Sequence, residues 1–125
     1  MLVSAAEASL APVTQIDGFR LASIVDASTG MILAAVGDEE DLSLPTVAAG
    51  AADMAQVLSL VSGELGTDDG LEDVMVTFGT HFHVIRLIHA DARQQVVLLV
   101  VLDRSRANLA LARREIRDFC AGVAS

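Results

Sequence analysis

Histidine is the residue type in this chain best suited to metal or proton chemistry, and two of the three histidines are two positions apart. His81 and His83 open a stretch, 81–89, whose pattern predicts a β-strand. Alternate residues of a strand point the same way, so the two imidazoles would share one face, about 6.5–7 Å apart. With a nearby carboxylate they could bind zinc, but His89 is too far along the strand to join them and no third ligand can be named. The other interpretation is a polar surface strand, and we expect no metal.

One cysteine and eight arginines are the remaining candidates for catalysis. Cys120 follows Phe119 in a predicted helix, where we expect a buried structural thiol because reactive cysteines need an electropositive, partly open site. Arg20, Arg86 and Arg93 are candidates for an arginine finger by residue type alone. No phosphate-binding glycine loop, Ser-His-Asp set or metal-ligand spacing accompanies them. The sequence therefore predicts no catalytic residues, no cofactor and a protein that is not an enzyme.

Composition and charge narrow the possible partners of this chain, which at 125 residues is predicted to be a single domain, 1–125. Residues 1–85 carry thirteen Asp and Glu against one Arg, and the net charge is −9. Nucleic acid is disfavoured because phosphate binding needs a basic face. The longest strongly apolar run, 96–102, has the length of a strand, so no membrane insertion is predicted. With a single cysteine and no basic secretion signal, we expect a cytoplasmic protein.

A β-hairpin is predicted near the N-terminus, with strands at 19–26 and 31–36. The sequence between them is Asp26-Ala27-Ser28-Thr29-Gly30. The Asp26 side chain can bond the backbone that follows it, and Gly30 can adopt the positive φ that closes the turn. Such hairpins open many sensing and adaptor domains and very few enzymes.

A long helix is predicted after this hairpin and an acidic loop, 37–41. Ser43 is suited to cap the helix, Pro45 fits its first turn, and it runs to about Gly63. Apolar residues at alternating spacings of four and three predict one stripe, made of Val47, Ala51, Met54, Leu58 and Val61. The first half of the helix is otherwise small-sided, which allows close approach to the sheet or to another helix.

Three strands and a final helix complete the chain. The strands are predicted at 71–78, 81–89 and 96–102, with a two-residue turn at Gly79-Thr80 and another turn at 90–94. Asp103 is expected to cap a helix at 104–122, whose apolar stripe is Leu109, Ala112, Ile116, Phe119 and Val123. A short helix is also predicted at 4–14. This order predicts an α+β fold with a single five-stranded, mainly antiparallel sheet, a long helix between the second and third strands, and terminal helices.

These features together resemble the Roadblock family, the dynein light-chain-like domains that accompany small Ras-like GTPases. The resemblance covers about residues 8–123. It depends on Gly18-Phe19, on the turn 26–30, on Leu33-Ala34, on the alanine-rich helix 46–62, on the strand 72–77 and on the order of the elements. Its bacterial, small-GTPase-associated members are the nearest type. All eight basic residues are arginine and alanine is abundant, which is typical of a GC-rich bacterial coding bias.

The resemblance implies a non-enzymatic homodimer that binds, scaffolds or stimulates a small Ras-like GTPase in signalling. In that family the strand corresponding to 71–78 pairs with its twin and the long helices stack across a two-fold axis. The residues that this arrangement would place in the dimer interface are Val47, Ala51, Met54, Leu58, Val74 and Val76. The alternative is a small-molecule sensor of the profilin-like or PAS-like kind. A chain with four Phe and neither Tyr nor Trp has few aromatic residues to line a ligand pocket, which favours the interaction protein.

Overall fold

A computed structural model describes residues 9–38, 42–64, 70–89 and 95–124. The strands are β1 Phe19–Asp26, β2 Ile32–Gly37, β3 Val74–Thr77, β4 His81–His89 and β5 Gln95–Asp103. The helices are α1 Leu44–Glu64 and α2 Leu109–Ala124, and a 3₁₀ helix, Ala11–Gln15, precedes β1. The strands form one sheet in the order β2-β1-β5-β4-β3, and every pairing in it is antiparallel. This is the α+β architecture that the sequence predicts.

The apolar strand β5 lies at the centre of the sheet, between β1 and β4. Its residues from Val96 to Leu102 are all buried. Successive side chains of a strand point to opposite faces, so a strand that is apolar throughout needs cover on both sides. One face of the sheet packs against α2 and the 3₁₀ helix, and the other face packs against α1. The prediction of a central strand at 96–102 is confirmed.

The hairpin turn between β1 and β2 also has the predicted geometry. One carboxylate oxygen of Asp26 accepts hydrogen bonds from the backbone N–H and the hydroxyl of Ser28, both at 2.8 Å. These bonds lower the pKa of Asp26, the hydroxyl bond contributing most. Gly30 donates its N–H to the Asp26 carbonyl at 2.9 Å and has a φ of 75°. An L side chain rarely adopts that φ, which explains the glycine.

The face that α1 turns to the sheet differs from the predicted stripe. The buried residues of the helix are Leu44, Ala48, Ala51, Ala52 and Ala55. Of the predicted stripe only Ala51 is among them, whereas Val61 is 49% exposed. The small alanine side chains let the helix backbone approach β1, β4 and β5 closely, and the larger apolar residues are left along its flank. Val47, Met54, Leu58 and Val61 of the predicted apolar stripe therefore keep part of their surface exposed, and only Ala51 packs in the core.

Several predicted boundaries shift for local reasons. The last helix begins at Leu109, not at 104, because the Asp103 carboxylate bonds the N–H and hydroxyl of Ser105 and residues 104–106 form a turn. Asn108 caps the helix instead, accepting a hydrogen bond from the Leu111 N–H at 3.1 Å. The strand predicted at 71–78 forms only over Val74–Thr77. Of the helix predicted at 4–14, residues 11–14 lie in a 3₁₀ helix, Ala11–Gln15, with Pro12 in its first turn. The predictions for 4–8, 39–41 and 90–94 lie outside the described residues.

Candidate interaction surface

Strand β3 is an edge strand, and the described residues provide it with one neighbour, β4. Phe78, just after the strand, donates its N–H to the His81 carbonyl at 2.8 Å, which closes the two-residue turn Gly79-Thr80. Backbone groups alternate in direction along an antiparallel strand. Val76 and Val74 therefore turn their N–H and C=O groups toward β4, while Met75 and Thr77 turn theirs toward the open edge. Such an edge is a template for another strand.

An apolar flank of α1 adjoins the same sheet face as β3. One side of the helix faces the β1–β2 turn: a Cβ on Gly30 would lie 3.6 Å from the Ala49 Cα, and Gln56 donates to the Ala27 carbonyl at 2.5 Å. At about 100° per residue, the apolar residues on the opposite side of the helix form a flank that faces away from this turn. The α1 flank consists of Val47, Met54, Leu58 and Val61.

We call the α1 flank and β3 together the apolar surface, because both include residues that pack against one core cluster. The flank residues Val47 and Met54 pack against the same core cluster as Val74 and Val76, whose side chains point to the α1 face of the sheet. All four are partly exposed.

By length and composition α1 is apolar enough to cross a membrane, yet only 28% of its most apolar 18-residue window is buried within the chain. Helices that pack on a sheet inside a soluble protein can have the same length and apolar composition, so these two properties are weak evidence for a membrane span.

Five of the six predicted interface residues lie on this apolar surface. They are Val47, Met54, Leu58, Val74 and Val76, and each is partly exposed. The sixth, Ala51, has an exposure of 0% and packs under the helix against the chain's own sheet. Ala51 can therefore influence a dimer interface only indirectly, through the residues that cover it. Contact of the other five with a second copy stays a prediction.

The two histidines of β4 have different surroundings. His81 Nε2 lies 3.1 Å from Arg20 Nη1, and its Nδ1 lies 3.0 Å from the Thr80 hydroxyl. His83 is buried, with 6% exposure, and its ring centroid lies 4.7 Å from that of Phe78. Burial lowers the pKa of His83, and the charge of His81 lowers it further. Among the described residues no three His, Cys, Asp or Glu side chains are grouped as metal ligands.

The other candidate residues also have structural neighbours. Arg20 bonds His81, and Arg86 Nη1 lies 4.0 Å from the Asp73 carboxylate. Arg93 lies outside the described residues. Cys120 is buried, and burial raises the pKa of its thiol to about 11. In this environment the thiol is a core group with almost no thiolate at neutral pH.

Sequence reasoning did not single out two arginines that hold the ends of β3. Arg113, in α2, donates from Nε and Nη2 to the two carboxylate oxygens of Asp73, at 2.9 and 3.0 Å. Arg104, after β5, donates from Nη1 to the Phe78 carbonyl at 3.0 Å. Both contacts join segments far apart in the chain. Neither contact can be predicted from residue spacing, because the order of the strands in the sheet brings the two partners together.

An open groove lies on the opposite side of the sheet, between the 3₁₀ helix and α2. Its volume is about 530 Å³, and its lining includes apolar side chains and two carboxylates. It is lined by Pro12, Val13, Ile16, Glu115, Asp118, Phe119 and Gly122. Ligand pockets usually enclose their ligand and direct a few polar groups at it. A shallow groove of this kind gives little support to a small-molecule sensor.

Comparisons with known proteins identify the fold. No family model matches the sequence, and no curated protein is significantly similar to it. Among solved structures, an MglB with tetrameric arrangement matches 98% of this chain and 87% of its own, at 18% identity and a TM-score of 0.78. The gliding protein MglB from Thermus thermophilus matches over the same shares, at 18% identity and a TM-score of 0.76.

A third structure carries the family name that the sequence suggested. A Roadblock/LC7 domain from Streptomyces avermitilis matches 90% of this chain and 88% of its own, at 17% identity and a TM-score of 0.71. The matching parts include the five-stranded antiparallel sheet, the long helix between β2 and β3, and the C-terminal helix. At such low identities the likeness identifies the fold and not the partners. The chain has the Roadblock fold, as the sequence resemblance predicts.

Proposed function

We propose that this chain is a non-enzymatic regulatory or scaffold protein of the cytoplasm that forms a homodimer and binds a small Ras-like GTPase. The observation that carries the proposal is the apolar surface made of the α1 flank and the open edge of β3. Monomeric soluble proteins rarely leave a large contiguous apolar patch exposed. An edge strand beside such a patch offers a second copy both backbone hydrogen bonds and apolar contact.

Self-association is supported because the edge of β3 meets the symmetry requirement of a homodimer. A two-fold dimer needs one patch that is complementary to itself. An antiparallel pairing of β3 with its twin meets this need, because Met75 and Thr77 offer the same donors and acceptors on both copies. The α1 flanks would then meet across the axis. The tetrameric arrangement of one MglB of this fold supports the proposal of self-association.

Binding of a GTPase rests on the Roadblock resemblance, together with the fold. The candidate catalytic groups have structural roles: His81 bonds Arg20 and Thr80, His83 packs against Phe78, and Cys120 is a buried thiol. Because these groups have structural roles, we expect the chain to act by binding its partner and not by catalysis. A regulator shifts a conformational equilibrium only by its differential affinity for the two states. Regulation therefore requires that the GDP-bound and GTP-bound forms bind with different affinities.

The test is a titration of this chain against the small Ras-like GTPase encoded nearest to it. The GTPase is loaded with GDP or with a non-hydrolysable GTP analogue, and binding is measured at two salt concentrations. We expect affinities that differ between the nucleotide states. The net charge of −9 also predicts a basic patch on the partner, so association should slow as salt rises.

Two other results would change the proposal. Equal affinity for both states would leave a scaffold and remove regulation by nucleotide. Absence of binding in both states, with a dimer still present by light scattering, would remove the GTPase and favour the small-molecule sensor. A monomer at about 50 μM, a concentration at which a dimer with a micromolar Kd would be largely assembled, would remove the homodimer.

A further inference from the structure

Strand β3 is short for a strand that has to pair with its twin in the proposed dimer. It has four residues and, among those described, a single neighbouring strand. Short edge strands open locally at little cost in free energy. If β3 opened in the monomer, each association event would have to order it first, and that ordering would weaken the dimer.

The N-terminal end of β3 is held by an ion pair with α2. Asp73, the residue before the strand, is 10% exposed at its side chain and accepts both hydrogen bonds of the Arg113 fork. Arg86 of β4 lies on the same carboxylate at 4.0 Å. A two-bond contact between guanidinium and carboxylate fixes direction as well as distance. Asp73 is thereby held against α2, on the face of the sheet opposite to α1.

The C-terminal end of β3 is held by Arg104. Its side chain donates to the Phe78 carbonyl at 3.0 Å, and its backbone N–H donates to the Thr80 carbonyl at 2.9 Å. Its guanidinium also lies 5.5 Å from the centre of the Phe82 ring. The turn that follows β3 is therefore tied to the segment that follows β5.

We propose that Arg113 and Arg104 are positioning residues that hold β3 extended for pairing with the β3 of a second copy. Neither residue needs to touch that copy. Each acts from one end of the strand and reduces the ordering that association requires. The proposal rests on the proposed homodimer, whose interface it makes dependent on α2 and on the segment after β5.

The experiment compares Arg113→Gln with Arg114→Gln, its exposed neighbour in the same helix. The dimer dissociation constant is measured by sedimentation, and amide hydrogen exchange is measured for Val74 and Val76. Loss of the two charge-assisted bonds should raise the dissociation constant about fivefold to tenfold, and the control should change it less than about twofold. Val74 and Val76 should exchange faster in Arg113→Gln, while the amides of β5 keep wild-type protection.

Further variants separate positioning from general loss of stability. Arg113→Lys keeps the charge but not the fork, so its dissociation constant should fall between those of wild type and Arg113→Gln. Asp73→Asn combined with Arg113→Gln should weaken the dimer no more than the stronger single variant. Arg104→Gln should speed exchange at Phe78 and weaken the dimer to a similar degree.

Wild-type association and wild-type exchange at Val74 and Val76 in Arg113→Gln would overturn the proposal. Equal loss of protection in β3 and β5 would also overturn it, since the ion pair would then stabilise the whole fold. If the wild-type chain is monomeric, the homodimer fails as a separate matter. The positioning of β3 is then decided by exchange alone, and unchanged exchange in Arg113→Gln refutes it.

Discussion

The ring of Phe78 covers the imidazole of His83, with 4.7 Å between ring centroids and 55° between ring planes. Phe78 follows the edge strand and is half exposed, whereas His83 is buried in β4 opposite Val76. An ionisable side chain is thus covered by a ring that is itself open to solvent on one side. Protonation of His83 at acidic pH should therefore perturb the chain near the C-terminal end of β3.

Stability is predicted to fall between about pH 7 and pH 5 because of His83. Burial lowers the pKa of His83 in the folded chain, so the unfolded chain binds more protons as the pH falls through its usual value near 6.5. The free energy of unfolding then decreases with falling pH, by at most about 1.4 kcal/mol per pH unit for one proton. Urea unfolding at a series of pH values measures this slope. His83→Phe should remove most of this slope, whereas His81→Gln should keep the larger part of it, because burial is the main cause of the lowered pKa of His83. Identical slopes in all three proteins would exclude His83 as the cause.

Met75→Pro is predicted to prevent dimerisation and to leave the folded chain intact. The Met75 N–H points to the open edge of β3, so proline there removes no bond to β4. The dissociation constant should rise at least about tenfold, with the free energy of unfolding changed by less than about 1 kcal/mol. Sedimentation and urea unfolding measure the two quantities. Val76→Pro is the contrast, because its N–H faces β4 and the variant should lose stability. A fully dimeric Met75→Pro would place the interface elsewhere.

Val61→Asp is predicted to weaken the dimer more than Leu60→Asp does. Both residues are exposed near the end of α1, by 49% and 73%. Val61 belongs to the α1 flank, whereas Leu60 borders a cavity with Ala27 and Gln56 on the side of the β1–β2 turn. Burying an unpaired carboxylate is costly, so Val61→Asp should raise the dissociation constant at least about tenfold and Leu60→Asp less than about threefold. Light scattering over a dilution series distinguishes them, and the reverse order would contradict the assigned surface.

Cys120 is predicted to resist thiol reagents in the folded chain. With its pKa raised to about 11 by burial, the thiolate fraction at neutral pH is very small, and the sulfur is also covered. Labelling with a chromogenic disulfide should be at least about a hundredfold slower without denaturant than in urea. Labelling that is equally rapid in both conditions would show that the C-terminal end of α2 opens readily.

The parts of the fold that follow local rules were predictable from the sequence. The turn at Asp26 and Gly30 needs one side-chain acceptor and one positive φ, and both residue types are unambiguous. The apolar run of β5 predicts cover on both faces wherever the other strands lie. These features depend on neighbours in sequence, so spacing alone describes them.

The orientation of α1 could not be predicted because two sides of the helix are apolar. Spacing identifies the larger residues Met54 and Leu58 as a stripe, yet the sheet packs against the alanines, where the backbones approach most closely. Ala51→Arg, an obvious test of the interface at sequence level, would thus disturb the core first. The contact between Asp73 and Arg113 spans 40 positions and is set by the strand order, which local patterns do not encode.

The central position of β5 has a consequence for how the chain is made. Without β5 the described strands form two separate hairpins, β1–β2 and β3–β4, because each hairpin joins the sheet only through β5. Leu21 pairs with Val101, so β1 must await a partner that is synthesised 80 residues later. During synthesis on the ribosome both hairpins are therefore complete before the strand that unites them emerges. We therefore expect the sheet to form late and cooperatively, and we expect a chain truncated before residue 95 to be captured by chaperones or degraded.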